Sequence, residues 1–194
     1  MVKFIKSANL IEQYFDDSRN QICFVGRSNA GKSSLINSLA NTSIAKTSGT
    51  PGKTKLVNFF DFNNYVLVDL PGYGYAKTSK NEVEIINKMI YEYLRWAKKL
   101  ICVCQLCSID VITNSDLKMA DDLRLLKQKY HIEHLVILTK ADKLKLSQIN
   151  QQIQKVSKFL NVKIDNIIPI SNKTKFNIQK LQAIINAINT KSKN

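Results

Sequence analysis

The sequence predicts a three-layer α/β protein, in which helices cover both faces of a mostly parallel sheet of six strands, one of them antiparallel. Three observations support this prediction. A glycine-rich loop joins the first predicted strand to a helix. Apolar runs alternate with helical segments through the second half of the chain. A single tight turn, at residues 63–64, joins two consecutive strands into a hairpin.

The elements follow in order along the chain. We treat residues 1–20 as an N-terminal extension packed on the domain edge, residues 21–190 as the main domain and residues 191–194 as a disordered tail. The predicted strands are residues 21–25, 55–62, 65–68, 100–106, 134–138 and 167–170. The predicted helices are residues 32–40, 81–99, 116–130, 147–160 and 178–188. In the second helix we expect a buried side formed by Ile85, Met89, Ile90, Tyr93 and Leu94.

Length and composition indicate one domain of ordinary size. The chain has 194 residues, and no apolar run is long enough to span a membrane. Its first residues show neither a continuous apolar segment nor a cleavage site, so we expect a cytoplasmic protein without membrane insertion. The four cysteines lie in apolar runs, and we interpret them as buried, reduced thiols rather than a metal site or disulfides.

The charge is strongly basic, with 29 Lys+Arg residues, 15 Asp+Glu residues and a net charge of +14. This surplus favours a polyanionic partner, because a basic surface displaces counterions from a phosphate backbone. The alternative is a lysine-rich composition whose side chains only face solvent. The basic residues form no compact block and no aromatic RNA-binding signature is present, so charge alone leaves both interpretations open.

The loop from Gly26 to Ser33 has the P-loop pattern Gly-x-x-x-x-Gly-Lys-Ser between a strand and a helix. Such a loop turns its backbone N–H groups around phosphate oxygens, and the helix dipole favours the negative charge. Lys32, our candidate catalytic residue, would reach the β- and γ-phosphates, and the Ser33 hydroxyl would bind Mg²⁺. The alternative is an ordinary strand-to-helix turn. The candidate phosphate-binding residues are Gly26, Arg27, Ser28, Asn29, Ala30, Gly31, Lys32 and Ser33.

The apolar run of residues 65–68 ends at the acidic residue Asp69, and Leu70, Pro71 and Gly72 follow it. A carboxylate at the tip of a buried strand is costly without a partner, so Asp69 would hold Mg²⁺ through water beside the P-loop. The alternative role is a helix cap. Because the carboxyl ends of parallel strands share one rim of the sheet, we expect the nucleotide there.

The segment Thr139, Lys140, Ala141 and Asp142 follows the next-to-last strand. The Asp142 carboxylate can accept hydrogen bonds from guanine N1–H and its exocyclic amine, a pair that adenine cannot offer. We therefore expect GTP to be preferred to ATP, with the Lys140 stem along the ring. A helix cap is the alternative for Asp142. The last strand contributes the remaining candidates, whose backbone would contact the base: Ile170, Ser171 and Asn172.

Together, residues 26–37, 50–54, 69–76 and 139–143 resemble the EngB (YihA/YsxC) family of bacterial GTPases, within the TrmE-Era-like group. The resemblance covers about residues 4–189. It implies a Ras-like G domain that binds GTP or GDP with Mg²⁺ and acts as a switch in assembly of the large ribosomal subunit, with a link to cell division and septation. Thr54 would join Ser33 on Mg²⁺. The candidates in this loop are Gly52, Lys53, Thr54, Lys55 and Leu56.

Two stretches depart from the usual patterns, and two further residues bear on hydrolysis. Residues 107–110 replace the Asp and Arg-His pair that is usual in the family. The guanine motif begins with Thr139 rather than the asparagine common in G proteins, a substitution that is usual in the family that the chain resembles, and we expect this shorter side chain to hold the P-loop less firmly. Tyr73 replaces the water-orienting glutamine of many GTPases, which predicts slow hydrolysis. Asn29 matches an asparagine that binds K⁺ in potassium-activated relatives, or it only pins the loop by hydrogen bonds.

The expected partner is the large ribosomal subunit or its precursor, through RNA or protein. We expect no DNA partner and a monomeric protein. One alternative function is a P-loop nucleotide or small-molecule kinase, although the Thr-Lys-Ala-Asp motif and the lack of an acceptor or lid segment argue against it. Another is a septum-associated interaction protein that uses GTP only structurally.

Overall fold

A computed structural model of the protein describes residues 1–46, 56–74 and 79–192. Within these residues, seven strands form one sheet and five α-helices cover its faces, which confirms the predicted fold class. The strands are β1 (Lys3–Ala8), β2 (Gln21–Gly26), β3 (Val57–Asp61), β4 (Val66–Asp69), β5 (Leu100–Ser108), β6 (Glu133–Thr139) and β7 (Ile167–Pro169). The helices are α1 (Lys32–Ala40), α2 (Lys80–Trp96), α3 (Asn114–Tyr130), α4 (Leu146–Leu160) and α5 (Ile178–Lys191).

The sheet has one strand more than the predicted six. Its order is β1-β3-β4-β2-β5-β6-β7, and β3 is antiparallel to both of its neighbours while the remaining pairs are parallel. The additional strand, β1, lies within the predicted N-terminal extension and pairs with β3 at one edge. Only Ala8 of β1 is buried. The strand therefore needs no alternation of apolar and polar residues, and the sequence of β1 does not show the pattern that indicates a half-buried strand.

The helices form two layers. The apolar side chains of α2, α3 and α4 pack on one face of the sheet, and those of α1 and α5 pack on the other. In α2 the prediction for Ile85 was wrong: this side chain is 60% exposed, whereas Ile86 is buried with Met89, Ile90, Tyr93 and Leu94. The helix also ends at Trp96 rather than at residue 99, because Ala97 leaves the helical conformation with ψ 88°.

The four cysteines lie in β2 and β5, where all of them are buried and none forms a disulfide. Burial raises the pKa of the Cys23 thiol well above its ordinary value, so this side chain remains protonated and packs as a small apolar group. In the part of the chain that the structure describes, no helix is both long and apolar enough to cross a membrane.

Candidate functional site

The predicted site residues meet at the carboxyl ends of β2, β4, β6 and β7. Hydrogen bonds join the loops that follow these strands. Among them, Ser28 N donates to Tyr73 O over 3.1 Å, Ala141 N donates to Ile170 O over 2.9 Å, and two others run from the segment at the end of β6 to the P-loop. The candidates Gly52, Lys53, Thr54 and Lys55 lie outside the described residues.

Two glycines, at the end of β2 and just after β4, have no room for a side chain, because the backbone of a neighbouring segment lies against each of them. A Cβ on Gly26 would lie 2.6 Å from Leu106 O, and a Cβ on Gly72 would lie 2.9 Å from Ser28 N. Real Cβ atoms do not approach backbone atoms so closely. The Asp69–Gly72 segment is therefore held directly against the P-loop, and the two segments form one unit at the rim.

Lys32 and Asp69 are two oppositely charged groups buried in this unit. The Lys32 Nζ atom donates to Gly26 O over 3.4 Å. Burial lowers the pKa of Lys32, and the charge of Asp69 opposes that shift. Burial raises the pKa of Asp69 to about 6, and the charge of Lys32 opposes this in turn. The Asp69 Oδ1 atom is buried and has no hydrogen-bond partner among the described residues, so this acceptor is available to a ligand.

The raised pKa of Asp69 predicts a pH-dependent effect of Asp69→Asn on the nucleotide-free protein. A carboxyl whose pKa is raised on folding destabilises the folded state above that pKa, and the penalty disappears as the pH falls towards the unfolded value. Relative to wild type, the variant should therefore gain up to about 3 kcal/mol in free energy of unfolding between pH 4 and pH 7. Denaturant titrations of both proteins at several pH values measure this difference, in which the titrating groups that do not interact with Asp69 cancel. A constant difference would contradict a buried, ionised Asp69.

The predicted Mg²⁺ ligands fit a hard cation at this position. Ser33 and Asp69 line one cavity of about 540 Å³, which Leu56 also borders and which extends to Phe4 and Ser7 of β1. Hydroxyl and carboxylate oxygens are the ligands that Mg²⁺ prefers, and the unpartnered Asp69 Oδ1 supplies an acceptor for a metal-bound water. Elsewhere in the described ranges, no group of three or more His, Cys, Asp or Glu side chains could hold a metal.

The segment after β6 contacts both the P-loop and the end of β7. The Thr139 hydroxyl donates to Ala30 O over 2.8 Å and lies 3.2 Å from Cys107 O, and Lys140 Nζ donates to Asn29 O over 3.1 Å. Although it is shorter than asparagine, Thr139 therefore reaches the P-loop directly. Its hydroxyl and the Lys140 ammonium fix the spacing between the phosphate-binding loop and the predicted base-binding segment.

The predicted base-binding residues lie together at the ends of β6 and β7. Asp142 is exposed, and its Oδ1 atom accepts a hydrogen bond of 2.5 Å from the Ser171 hydroxyl. Ser171 itself is fully buried, so this bond fixes the orientation of the exposed carboxylate from the protein interior. The Oδ1 atom of Asn172 is buried without a partner in the described part of the chain. The ends of β6 and β7 therefore provide one oriented acceptor and one unsatisfied acceptor.

A buried polar network that was not predicted from the sequence lies behind Gly72. Tyr73 is buried, and its hydroxyl donates to Asp116 Oδ1 over 2.9 Å. Asp116 Oδ2 accepts from the backbone N and the hydroxyl of Thr113, both over 2.9 Å. Gln105 Nε2 donates to Asp116 O over 2.8 Å, and Gln105 Oε1 lies 3.1 Å from His134 Nε2. The spacing Thr-x-x-Asp before an apolar run is a helix-capping signal that could have located Asp116.

The Asn29 side chain is exposed and lies on a backbone with φ 63°. Within residues 1–46, 56–74 and 79–192, no hydrogen bond from its amide to the protein is present, and only its backbone oxygen is bound, by Lys140. The amide is therefore free to bind a ligand at the outer side of the P-loop.

Comparison with known proteins agrees with this geometry. The family model for a 50S ribosome-binding GTPase matches residues 21–191. A probable GTP-binding protein EngB of Malacoplasma penetrans (strain HF-2) is 45% identical over 188 residues, which are 97% of this chain and 99% of that protein. The chain belongs to the EngB family of GTP-binding proteins. The EngB protein of Clostridium botulinum (strain Eklund 17B / Type B) is 44% identical over 168 residues, which are 84% of this chain and 82% of that one.

Solved structures give the same family and fold. A crystal structure of a probable GTP-binding protein engB has a TM-score of 0.74 at 26% identity, and the match covers 88% of this chain and 99% of that one. The structure of Era in complex with MgGDPNP and nucleotides 1506–1542 of 16S ribosomal RNA has a TM-score of 0.67 at 20% identity, over 86% of this chain and 55% of that one. The second similarity shows a shared fold. The EngB resemblance and the Ras-like GTPase fold predicted from the sequence are thus confirmed.

Proposed function

We propose that this EngB protein is a GTP-dependent switch in assembly of the large ribosomal subunit, that it works in the cytoplasm, and that its activity supports cell division and septation. The observation that carries the proposal is that buried Lys32 and buried Asp69 lie at the same rim as the Ser171-oriented carboxylate of Asp142. A phosphate-binding charge and a purine-selective acceptor at one rim are what a guanine nucleotide requires.

Each segment has a proposed role in binding GTP or GDP. The N–H groups of Gly26–Ser33 bind phosphate oxygens, and Lys32 neutralises the β- and γ-phosphates. Ser33 and Thr54 would hold Mg²⁺, Asp69 would hold it through water, and the metal would supply charge neutralisation of the phosphates. Asp142 selects guanine, while the stem of Lys140 lies along the ring. The residues completing the contacts are Gly52, Lys53, Lys55, Leu56, Leu70, Pro71, Gly72, Thr139, Ala141, Ile170, Ser171 and Asn172.

The switch depends on the segment after β4. Gly72 lies against Ser28 of the P-loop, so a γ-phosphate bound in that loop is positioned to contact the Gly72 backbone. Contacts of this kind order flanking loops in the triphosphate state and release them after hydrolysis. The ordered loops, together with a lysine-rich surface, would then bind the ribosomal subunit.

The proposed hydrolysis is slow because the Tyr73 hydroxyl is committed to Asp116 in the core and is not available to orient water. We therefore expect Tyr73→Phe to leave the single-turnover hydrolysis rate within about twofold of wild type. The variant should instead lose about 1–3 kcal/mol of stability, because it removes a donor from a buried carboxylate. Rapid-quench kinetics and denaturant unfolding measure the two effects, with Tyr130→Phe at an exposed position as the matched control. A tenfold loss of rate would contradict a purely structural Tyr73.

The free Asn29 amide supports binding of K⁺ as a charge-stabilising group during hydrolysis. We expect turnover in potassium chloride to exceed turnover in sodium chloride by about tenfold or more, since a cation beside the phosphates replaces the missing arginine finger. Asn29→Ala should remove the difference between the two salts. Equal turnover of the wild-type protein in both salts would show that Asn29 has only a structural role.

Co-sedimentation with purified large ribosomal subunits tests the switch. The full-length protein is incubated with GDP or with a non-hydrolysable GTP analogue, and the bound fraction is measured at several salt concentrations. Binding that requires the analogue and decreases steeply with salt is the expected result. Equal binding in both nucleotide states, or no binding at low salt, would reject the proposed function.

A further inference from the structure

The net positive charge of the protein is concentrated in its last quarter. Residues 143–194 contain ten lysines and one acidic residue, Asp165, and so account for nine of the fourteen net positive charges. The first 142 residues contain 19 basic and 14 acidic residues. A composition bias that only placed lysines on solvated faces would spread this surplus along the chain.

The fold places this segment at one edge of the sheet. The last strand in the sheet order is β7, with α4 packed on one face beside it and α5 on the other. Neither α4 nor α5 contains an acidic residue. By contrast, α2 and α3 carry six acidic residues between them.

Within this edge, one group of side chains forms what we call the α4 basic surface. It comprises Lys155, Lys158 and Phe159 of α4, with Lys163 and Ile164 of the turn before β7. All five are exposed. The three helical residues are spaced i, i+3 and i+4, which places them on one side of the helix. The segment precedes β7, so it lies towards the amino ends of the strands, opposite the rim of the candidate nucleotide site.

The lysines of the α4 basic surface are not neutralised by carboxylates. In the described part of the chain, none of the three forms an ion pair, whereas Lys88, Lys127 and Lys143 are paired with acidic side chains elsewhere. Two apolar side chains interrupt the charge, because Phe159 is 42% exposed and Ile164 is 44% exposed. An exposed aromatic ring among unpaired cations is the combination on which a base stacks while its phosphates are neutralised.

We infer that the α4 basic surface binds the phosphate backbone of ribosomal RNA when the protein is on its subunit. The inference rests on the proposed function and adds the contact surface and the chemistry of the partner. A lipid surface fits less well, because the outer side of α4 also carries Gln151 and Gln154 instead of a continuous apolar stripe. Lysines near a helix C-terminus also interact with the helix dipole, but that interaction affects only stability.

The experiment compares two triple variants with the same change in charge. The first, Lys155→Gln/Lys158→Gln/Lys163→Gln, alters the proposed surface. The control, Lys88→Gln/Lys98→Gln/Lys99→Gln, removes three exposed lysines in and after α2. Binding to a short RNA hairpin and to purified large subunits is measured over a salt series. In the first variant, the slope of log K against log salt should decrease by about 2 to 3, since each lost phosphate contact contributes about 0.7–0.9. The control should retain most of the wild-type slope.

Three outcomes separate this inference from the proposed function. Equal loss of RNA binding in both triple variants would overturn the α4 basic surface, because only net charge would then matter. A lower thermal midpoint with unchanged RNA binding would assign the lysines to the helix dipole and would also overturn it. If the surface variant alone loses hairpin binding, the surface is supported even when the subunits show no nucleotide dependence, which rejects only the switch. Nucleotide affinity should remain at wild-type values in both variants.

Discussion

Replacing Asp142 by asparagine should shift the nucleotide preference from GTP to xanthosine triphosphate. The carboxylate is oriented by the buried Ser171 hydroxyl, which donates to Oδ1 over 2.5 Å. Guanine presents two donors to this acceptor, N1–H and the exocyclic amine. An asparagine would direct its own NH₂ donor at one of them, whereas xanthine has a carbonyl oxygen at that position. Competition calorimetry with GTP, ATP and xanthosine triphosphate measures the shift.

The expected size of this change is a loss of about 100-fold or more in GTP affinity. A mismatched, buried donor costs about 1–3 kcal/mol, and repulsion between facing donors adds to it, while 1.4 kcal/mol corresponds to a factor of ten. Asp165→Asn is the matched control, since it removes the same charge from another exposed position. Retention of GTP preference by Asp142→Asn would contradict the proposed base-binding segment. It would not bear on the proposed role of the phosphate-binding loop.

The sequence located the candidate site well because its motifs are local. Gly26–Ser33, Asp69 and Thr139–Asp142 each follow an apolar run within a few residues, and the carboxyl ends of parallel strands necessarily share a rim. Their roles in binding a nucleotide stay predictions, but their convergence follows from topology alone. Sequence patterns of this kind predict where a site lies even when they do not predict which other side chains pack around it.

The features that the sequence did not reveal depend on contacts between distant segments. β1 is an edge strand held by backbone pairing with β3, so its side chains need no apolar pattern. Tyr73 and Asp116 are 43 residues apart, and neither residue type by itself indicates a buried hydrogen bond. Ile85 and Ile86 are adjacent apolar residues, and Met89 lies within a helical turn of both, so the period alone could not decide which one is buried.

The Tyr73–Asp116 contact also changes how Tyr73 is interpreted. In the sequence, this tyrosine occupies the position at which many GTPases have a water-orienting glutamine. In the structure its backbone pairs with the P-loop, and its hydroxyl reaches α3 through Asp116. The side chain therefore links the segment after β4 to a helix in the core. This arrangement gives a physical basis for proposing a slow intrinsic GTPase. The Tyr73 hydroxyl is bonded to Asp116, so it is not available to orient the attacking water.

Replacing Lys32 by methionine should abolish most nucleotide binding without unfolding the protein. Lys32 is buried, and burial lowers its pKa while the Asp69 charge opposes that shift. Methionine has a similar volume and fills the same space. Asp69 loses its opposing charge, but its carboxyl can take up a proton instead, so the cost to the fold is small at low pH and grows as the pH rises. A nucleotide, however, loses the ammonium that would neutralise its β- and γ-phosphates. We expect the affinity for GTP and GDP to fall about 100-fold or more, since a hydrogen bond to a charged group contributes about 1.5–3 kcal/mol and the ammonium would contact two phosphates.

The same variant tests the coupling between Lys32 and Asp69. Without the ammonium, the pKa of Asp69 should rise further above about 6, because only the Lys32 charge opposes the effect of burial. The stability of Lys32→Met should therefore decrease more steeply than that of wild type between pH 5 and pH 8. Lys88→Met, an exposed substitution on α2, controls for the loss of charge. A folded Lys32→Met protein that bound GTP as tightly as wild type would mean that the phosphates lie elsewhere, whereas a pH profile identical to wild type would mean that the two charges do not interact.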